Sequence, residues 1–239
     1  MGSTNRKKNI STVIILAIVL LVPGFLYVGL NKIGSNEYLK LSIYGEKVLS
    51  GKMNRKMGRE IPDTVYHAIK PVILLNSAGD SITAFDQDSI ISIVHLFYSN
   101  DKGLSTTMLS NLKGVAERFS HNNRIKFYSI SLDTTDRNVV LDDIHRKYVG
   151  SSNPNWYILG SHGNFLEYAR NNFLIDAFKD PNQSNNFIFG NNFILLDTEN
   201  RIRGFYDINL KTDIARLQDE IKVQIVEEIR NNPLKIEKK

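Results

Sequence analysis

The chain has 239 residues, enough for one well-packed domain and an appendage, and its 42% hydrophobic and 23% charged residues are those of a globular protein. A net charge of +5 is spread along the chain and gathers partly at both ends, which argues for solubility charge rather than a nucleic-acid surface. There is no cysteine, so disulfides, thiolate metal sites and thiol catalysis are excluded.

Residues 1–9 are polar and carry Arg6, Lys7 and Lys8. The next segment, 10–30, has no charge, and as a helix it would be about 31 Å long at ~1.5 Å per residue, matching a ~30 Å hydrocarbon core. It reads as a retained transmembrane anchor. A cleaved signal peptide would have a shorter apolar core and an A-x-A-like site, which this stretch lacks. Three basic residues before the span against Lys32 behind it predict a single pass of the inner (cytoplasmic) membrane. The N-terminus stays inside and the C-terminal domain is periplasmic.

Residues 31–70 read as a tether and lead-in, with a strongly basic run from Lys52 to Arg59. A short β-branched strand over Pro71–Leu75 leads through Ser77-Ala78-Gly79-Asp80 into Ser81–Thr83, a hairpin pattern. The run Ile93–Phe97 predicts a buried strand, and the polar loop after it ends in a helix over 106–119 carrying Met108, Leu112, Val115, Ala116 and Phe119. Arg124–Leu132 alternates as a strand. Asp136 is placed to cap the next helix, whose apolar face is Val139, Val140, Ile144 and Tyr148. Trp156–Leu159 predicts a strand, Asn164–Leu174 a helix, Asp180–Asn186 an Asn-rich loop and Phe187–Leu196 a strand. That last strand turns at Asp197–Asn200 into Arg201–Tyr206 as an antiparallel hairpin. A final helix over 212–231 carries Ile214, Leu217, Ile221, Ile225 and Ile229 at intervals of three and four, and residues 231–239 form a polar tail. Alternating strands and helices that finish with a hairpin and a helix predict an α/β fold, a thioredoxin-like three-layer sandwich behind an N-terminal transmembrane helix.

Several segments, in their order and spacing, carry a likeness to a known family. They are His95-Leu96-Phe97-Tyr98-Ser99, the run Lys126–Asp133 followed by Asp136, Asn155–Gly160, and Phe193–Asp197 with Arg201–Asp207. The region 71–230 resembles the SCO/SenC family, thioredoxin-fold, membrane-tethered factors for copper delivery to cytochrome c oxidase. The resemblance implies a setting in respiratory oxidase assembly with a protein partner. The family's signature is a C-x-x-x-C motif in the strand–helix loop plus a distant histidine, three side chains that hold copper. On this chain the positions fall at Asp101, Ser105 and Phe189. Cu(I) prefers thiolate or thioether, a carboxylate and a hydroxyl suit hard cations, and a phenyl ring donates no lone pair. The expectation is therefore a degenerate site, with no cofactor, no metal ligands and no catalytic residue, in a non-catalytic binding or assembly module.

Two alternatives differ in class. A copper chaperone could have relocated its ligands to Met53, Met57 and His67, although Lys52, Arg55, Lys56 and Arg59 beside them disfavour a bound cation. An enzyme could use Asp101 or Ser105, although an acid and a hydroxyl at a helix start are what capping alone selects. His95 reads as a packed strand histidine and Trp156 as core, while His67, His121, His145 and His162 read as surface residues without zinc spacing. The basic lead-in could also touch anionic lipid or an acidic surface, or simply be solvated.

Overall fold

The computed structural model describes residues 4–33, 40–56, 59–151, 153–183 and 186–231, so Met57 and the polar tail beyond 231 lie outside the described residues. The chain divides into two compact units, residues 1–40 and 41–239. The first contains helix α1, Thr4–Ile33, with Pro23 inside it. Its window Thr12–Gly29 has a mean hydropathy of 2.5 and none of it is buried, so the helix is long and apolar enough to cross a bilayer.

The second unit opens with a hairpin that the sequence pattern did not announce: β1, Lys47–Lys56, pairs antiparallel with β2, Arg59–Tyr66. A seven-stranded mixed sheet follows. Its strands are β3 (Val72–Asn76), β4 (Ser81–Ala84), β5 (Ile91–Phe97), β6 (Ile125–Ser131), β7 (Trp156–Gly160), β10 (Asn192–Leu196) and β11 (Ile202–Asp207). The spatial order is β11-β10-β5-β6-β7-β3-β4. β5, β6 and β7 run parallel, and the outer strands join antiparallel. A separate two-stranded piece pairs β8, Ala177–Lys179, with β9, Phe187–Phe189. The expected single strand over 187–196 is thus two, parted at Gly190, whose N–H bonds the Asp176 carbonyl at 3.0 Å.

Alternation along the central strands sends their side chains to two cores. On one face Ile93, Phe97, Ile125, Phe127 and Phe193 meet helices α2 (Leu104–Phe119), α3 (Asn138–Tyr148) and α5 (Lys211–Asn231) through Met108, Leu112, Leu141, Leu217 and Ile221. On the other, Val94, Leu96, Ile130, Leu159 and Ile194 meet Phe165, Ala169 and Phe173. These come from α4, Phe165–Tyr168, and the π-helical turn Ala169–Phe173 that continues it, which ends at Leu174 with φ 57°. This is the three-layer thioredoxin-like arrangement. Each fully buried Leu, Ile or Phe contributes about 1.5–3 kcal/mol to it.

Two sequence expectations about α3 need correction, the first only in part. Tyr148 is buried and Ile144 packs half-buried on the core as expected, joined by Leu141, whereas Val139 (68% exposed) and Val140 lie exposed in the first turn. Asp136 does not cap the helix either: Arg137 holds the cap position with no side-chain hydrogen bond, because the Asp136 carboxylate is engaged elsewhere.

The lead-in is fastened to the sheet. The Tyr44 N–H bonds the Ile202 carbonyl at 2.9 Å, its ring lies edge-on to Phe205, and the Arg203 guanidinium bonds the Leu41 carbonyl at 2.7 Å. Gly45, at φ +96°, lets the chain pass His67 where a Cβ would come within 2.5 Å of that side chain. His67 is half-buried, its Nε2 is 2.7 Å from the Asn172 carbonyl, and so it is not the plain surface residue expected.

Candidate functional site

The parallel strands β5, β6 and β7 end side by side, and the loops beyond their carboxyl ends form the natural place for a site in an α/β sheet. β5 is buried throughout, so the chain leaves the core at Tyr98 and must turn through Ser99–Gly103 before α2 begins. The Asp101 carboxylate organises that turn. It accepts the N–H of Gly103 and the N–H of Ser105, each at 2.8 Å, satisfying donors that a helix start leaves free. The Ser105 hydroxyl, in a residue 2% exposed, accepts the Tyr98 N–H at 2.9 Å. Burial pulls the Asp101 pKa up, but the backbone N–H groups of Ser105, Gly103 and Leu104 and the Ser105 hydroxyl outweigh it, and the carboxyl sits below its ordinary value. The structure therefore brings Asp101 and Ser105 together in one capping network. A hydroxyl buried and engaged in this way is not presented as a nucleophile, and a carboxylate held ionised by peptide N–H groups is a poor base.

Behind this loop lies a second carboxylate that the sequence pattern misassigned. Asp136 accepts the hydroxyls of Ser99 at 2.7 Å and Ser131 at 2.5 Å, tying the β5–α2 loop to the β6–α3 loop. Burial, with Asp133 nearby, raises its pKa despite both hydroxyl bonds. Asp133 in turn accepts the Thr135 N–H and hydroxyl at 2.9 and 2.6 Å.

Two hollows flank the junction. The larger, about 430 Å³, is lined by Tyr98, Asn100, Asp133, Thr135, Lys179 and Phe187 among others. The smaller, about 210 Å³, lies on the α3 side between Asp101, Lys102, Ser105, Asp143 and Lys147. Phe187 packs its ring on Tyr98 with centroids 5.0 Å apart, so the β8–β9 hairpin reaches the junction through Phe187. Phe189 pairs with Ala177, packs half-buried against both cores and lines neither hollow. This convergence joins elements distant in the chain, and no local pattern signals it.

Asp101, Ser105 and Phe189 offer a carboxylate, a hydroxyl and a phenyl ring, and among the described residues no group of three His, Cys, Asp or Glu could hold an ion. The relocated set is separated by the hairpin register. Met53 stands opposite Pro62 while His67 follows the end of β2, roughly 16 Å further at ~3.3 Å per residue. The third member, Met57, lies outside the described residues.

Two aromatic expectations hold. Trp156 is 3% exposed and donates its indole N–H to the Ser129 hydroxyl at 2.8 Å; His95, fully buried, places Nδ1 3.2 Å from the same oxygen. The Ser129 hydroxyl thus joins both rings, and His95 Nε2 has no hydrogen-bond partner among the described residues. Burial pushes the His95 pKa down to about 3, and the ring is neutral.

No family model matches the chain, and no curated protein matches it in sequence. Solved structures do match its fold. A SCO1/SenC family lipoprotein from Bacillus anthracis aligns with a TM-score of 0.59 and 17% identity, over 66% of this chain and 95% of that one. BsSco, a member of the Sco family of cytochrome c oxidase assembly proteins described with a disulfide switch, aligns at 0.57 and 17%, over 66% and 93%. Arabidopsis thaliana ScoI with copper bound aligns at 0.53 and 17%, over 67% and 99%. These three SCO-type structures share the fold of this cysteine-free chain, which is thioredoxin-like.

Proposed function

We propose that this SCO-type fold acts as a membrane-anchored, periplasm-facing, non-catalytic binding or assembly module in the biogenesis of a respiratory cytochrome oxidase, its copper site degenerate. Helix α1 is the anchor, residues 31–70 the lead-in and residues 71–230 the domain. Arg6, Lys7 and Lys8 ahead of the apolar span favour an internal N-terminus. What supports the degenerate site is the Asp101 network: the two positions that the sequence resemblance matches to the family's cysteines hold a carboxylate and a hydroxyl whose lone pairs serve peptide N–H groups. Such a loop is shaped to be recognised rather than to bind a soft metal ion, and the hollow between Tyr98, Asn100, Lys179 and Phe187 gives a partner relief to engage.

The test is a titration of the full chain, in detergent, with Cu(I) against a competing chelator. The chelator is expected to keep the metal. Tight binding of one Cu(I) per chain would overturn the degenerate site. A photo-crosslinker at Asn100, in cells, is expected to capture an oxidase subunit or assembly factor.

A further inference from the structure

Among the described residues of the second unit, the β1–β2 hairpin stands out for large apolar side chains in the open on both faces. Leu49 is 67% exposed, Met53 62%, Val65 56% and Val48 52%. The register puts Leu49 opposite Thr64 and Met53 opposite Pro62, and these two partners lie two residues apart, so Leu49 and Met53 share a face. Alternation adds Lys47 and Arg55 to that face, one at each end of the apolar pair. Glu60 stands opposite Arg55, but no ion pair joins them among the described residues. Asp63 is turned to the other face, where Ser50 and Asn54 bond its carboxylate at 3.1 and 3.0 Å. Residues 47–66 hold five basic and two acidic side chains.

We propose that this hairpin is a second, interfacial membrane contact, with its Leu49–Met53 face against anionic lipid headgroups. Three features select lipid. Apolar side chains flanked by cations suit the boundary between headgroups and acyl chains, where each half of the pair has a partner. The excess of basic side chains complements an anionic surface. The chain from Ile33 to Lys47 can extend ~50 Å at most, which keeps the hairpin within reach of any bilayer that α1 spans. The proposal rests on the anchor reading above and goes beyond it, because the hairpin would fix the domain against the surface rather than leave it on a free tether.

The absence of cysteine makes the test direct. The full chain carries a single polarity-sensitive fluorophore on Val19→Cys in α1, Met53→Cys in β1 or Ile188→Cys in β9, and is reconstituted in vesicles of phosphatidylcholine alone or an equal mixture with phosphatidylglycerol. In the mixed vesicles the Met53 label is expected to shift to the blue and lose its quenching by aqueous acrylamide, while the Ile188 label stays accessible. Phosphatidylcholine alone, or the combined variant K47Q/K52Q/R55Q, restores quenching. A Val19 label shielded from acrylamide beside a fully quenched Met53 label overturns the hairpin contact and leaves the anchor standing. An aqueous Val19 label overturns the anchor and the hairpin contact with it. Shielding of Met53 in native membranes but not in mixed vesicles overturns the lipid assignment in favour of a protein partner.

Discussion

Asp101 and Asp197 use one local device in two settings. Each carboxylate accepts the N–H groups two and four residues on: Gly103 and Ser105 for Asp101, Glu199 and Arg201 for Asp197. Asp101 sits at the partly exposed mouth of the site and serves only its own loop. Asp197 is fully buried and meets Arg201 at 2.8 Å and Arg203 at 3.1 Å; Arg203, itself buried, also bonds Glu227 of α5 and the Leu41 carbonyl. The Asp101 carboxylate closes only its own turn, while Asp197 joins the β10–β11 turn, the last helix and the lead-in. A carboxylate whose bonds stay within its own turn can be exchanged with little disturbance to the fold, whereas one that joins three segments cannot.

That contrast can be broken at several strengths. Arg203→Met strands Glu227 and removes one of the two cations on buried Asp197, and should cost about 3–5 kcal/mol in urea unfolding. Acid gives the next effect. His95 is neutral when folded but takes a proton when unfolded below pH 6.5, so stability should fall by about 1.4 kcal/mol per pH unit from there towards pH 3. His95→Leu should flatten that slope, and unfolding curves at a series of pH values would measure it. Asp101→Ala should cost only about 1 kcal/mol, the usual worth of a helix-start carboxylate. Because the folded pKa of Asp101 is depressed, its contribution is present above the ordinary carboxylate range and lost as pH falls through the folded value. The gap between wild type and Asp101→Ala should therefore close in strong acid. A loss at Asp101 as large as that at Arg203 would erase the distinction between the two turns.

What the amino-acid pattern conveyed follows the same division between local and long-range. β5, β6 and β7 are short apolar or alternating runs, and α2 and α5 carry stripes at helical spacing, so burial and periodicity identify them. The hairpin of 47–66 escaped because neither face is buried: Leu49 and Met53 are separated by Ser50, Gly51 and Lys52 at a register break, and no alternation survives it. Asp136 looked like a cap because an acid before a helix usually is one, and only the fold brings Ser99 to it. At the site, Asp101 and Ser105 were legible as a capping pair. The arrival of Phe187 rather than Phe189 at Tyr98 was not, since it depends on how a separate two-stranded piece lies on the junction.

The fastening of the lead-in has a consequence for how this molecule can recruit an extended peptide. Strand addition needs a free margin of the sheet, and on the β11 side the chain's own backbone already bonds Ile202 while Tyr44 covers Phe205. The opposite margin is β4, only four residues long. A guest that lengthened the sheet would have to pair there or first peel residues 41–44 away.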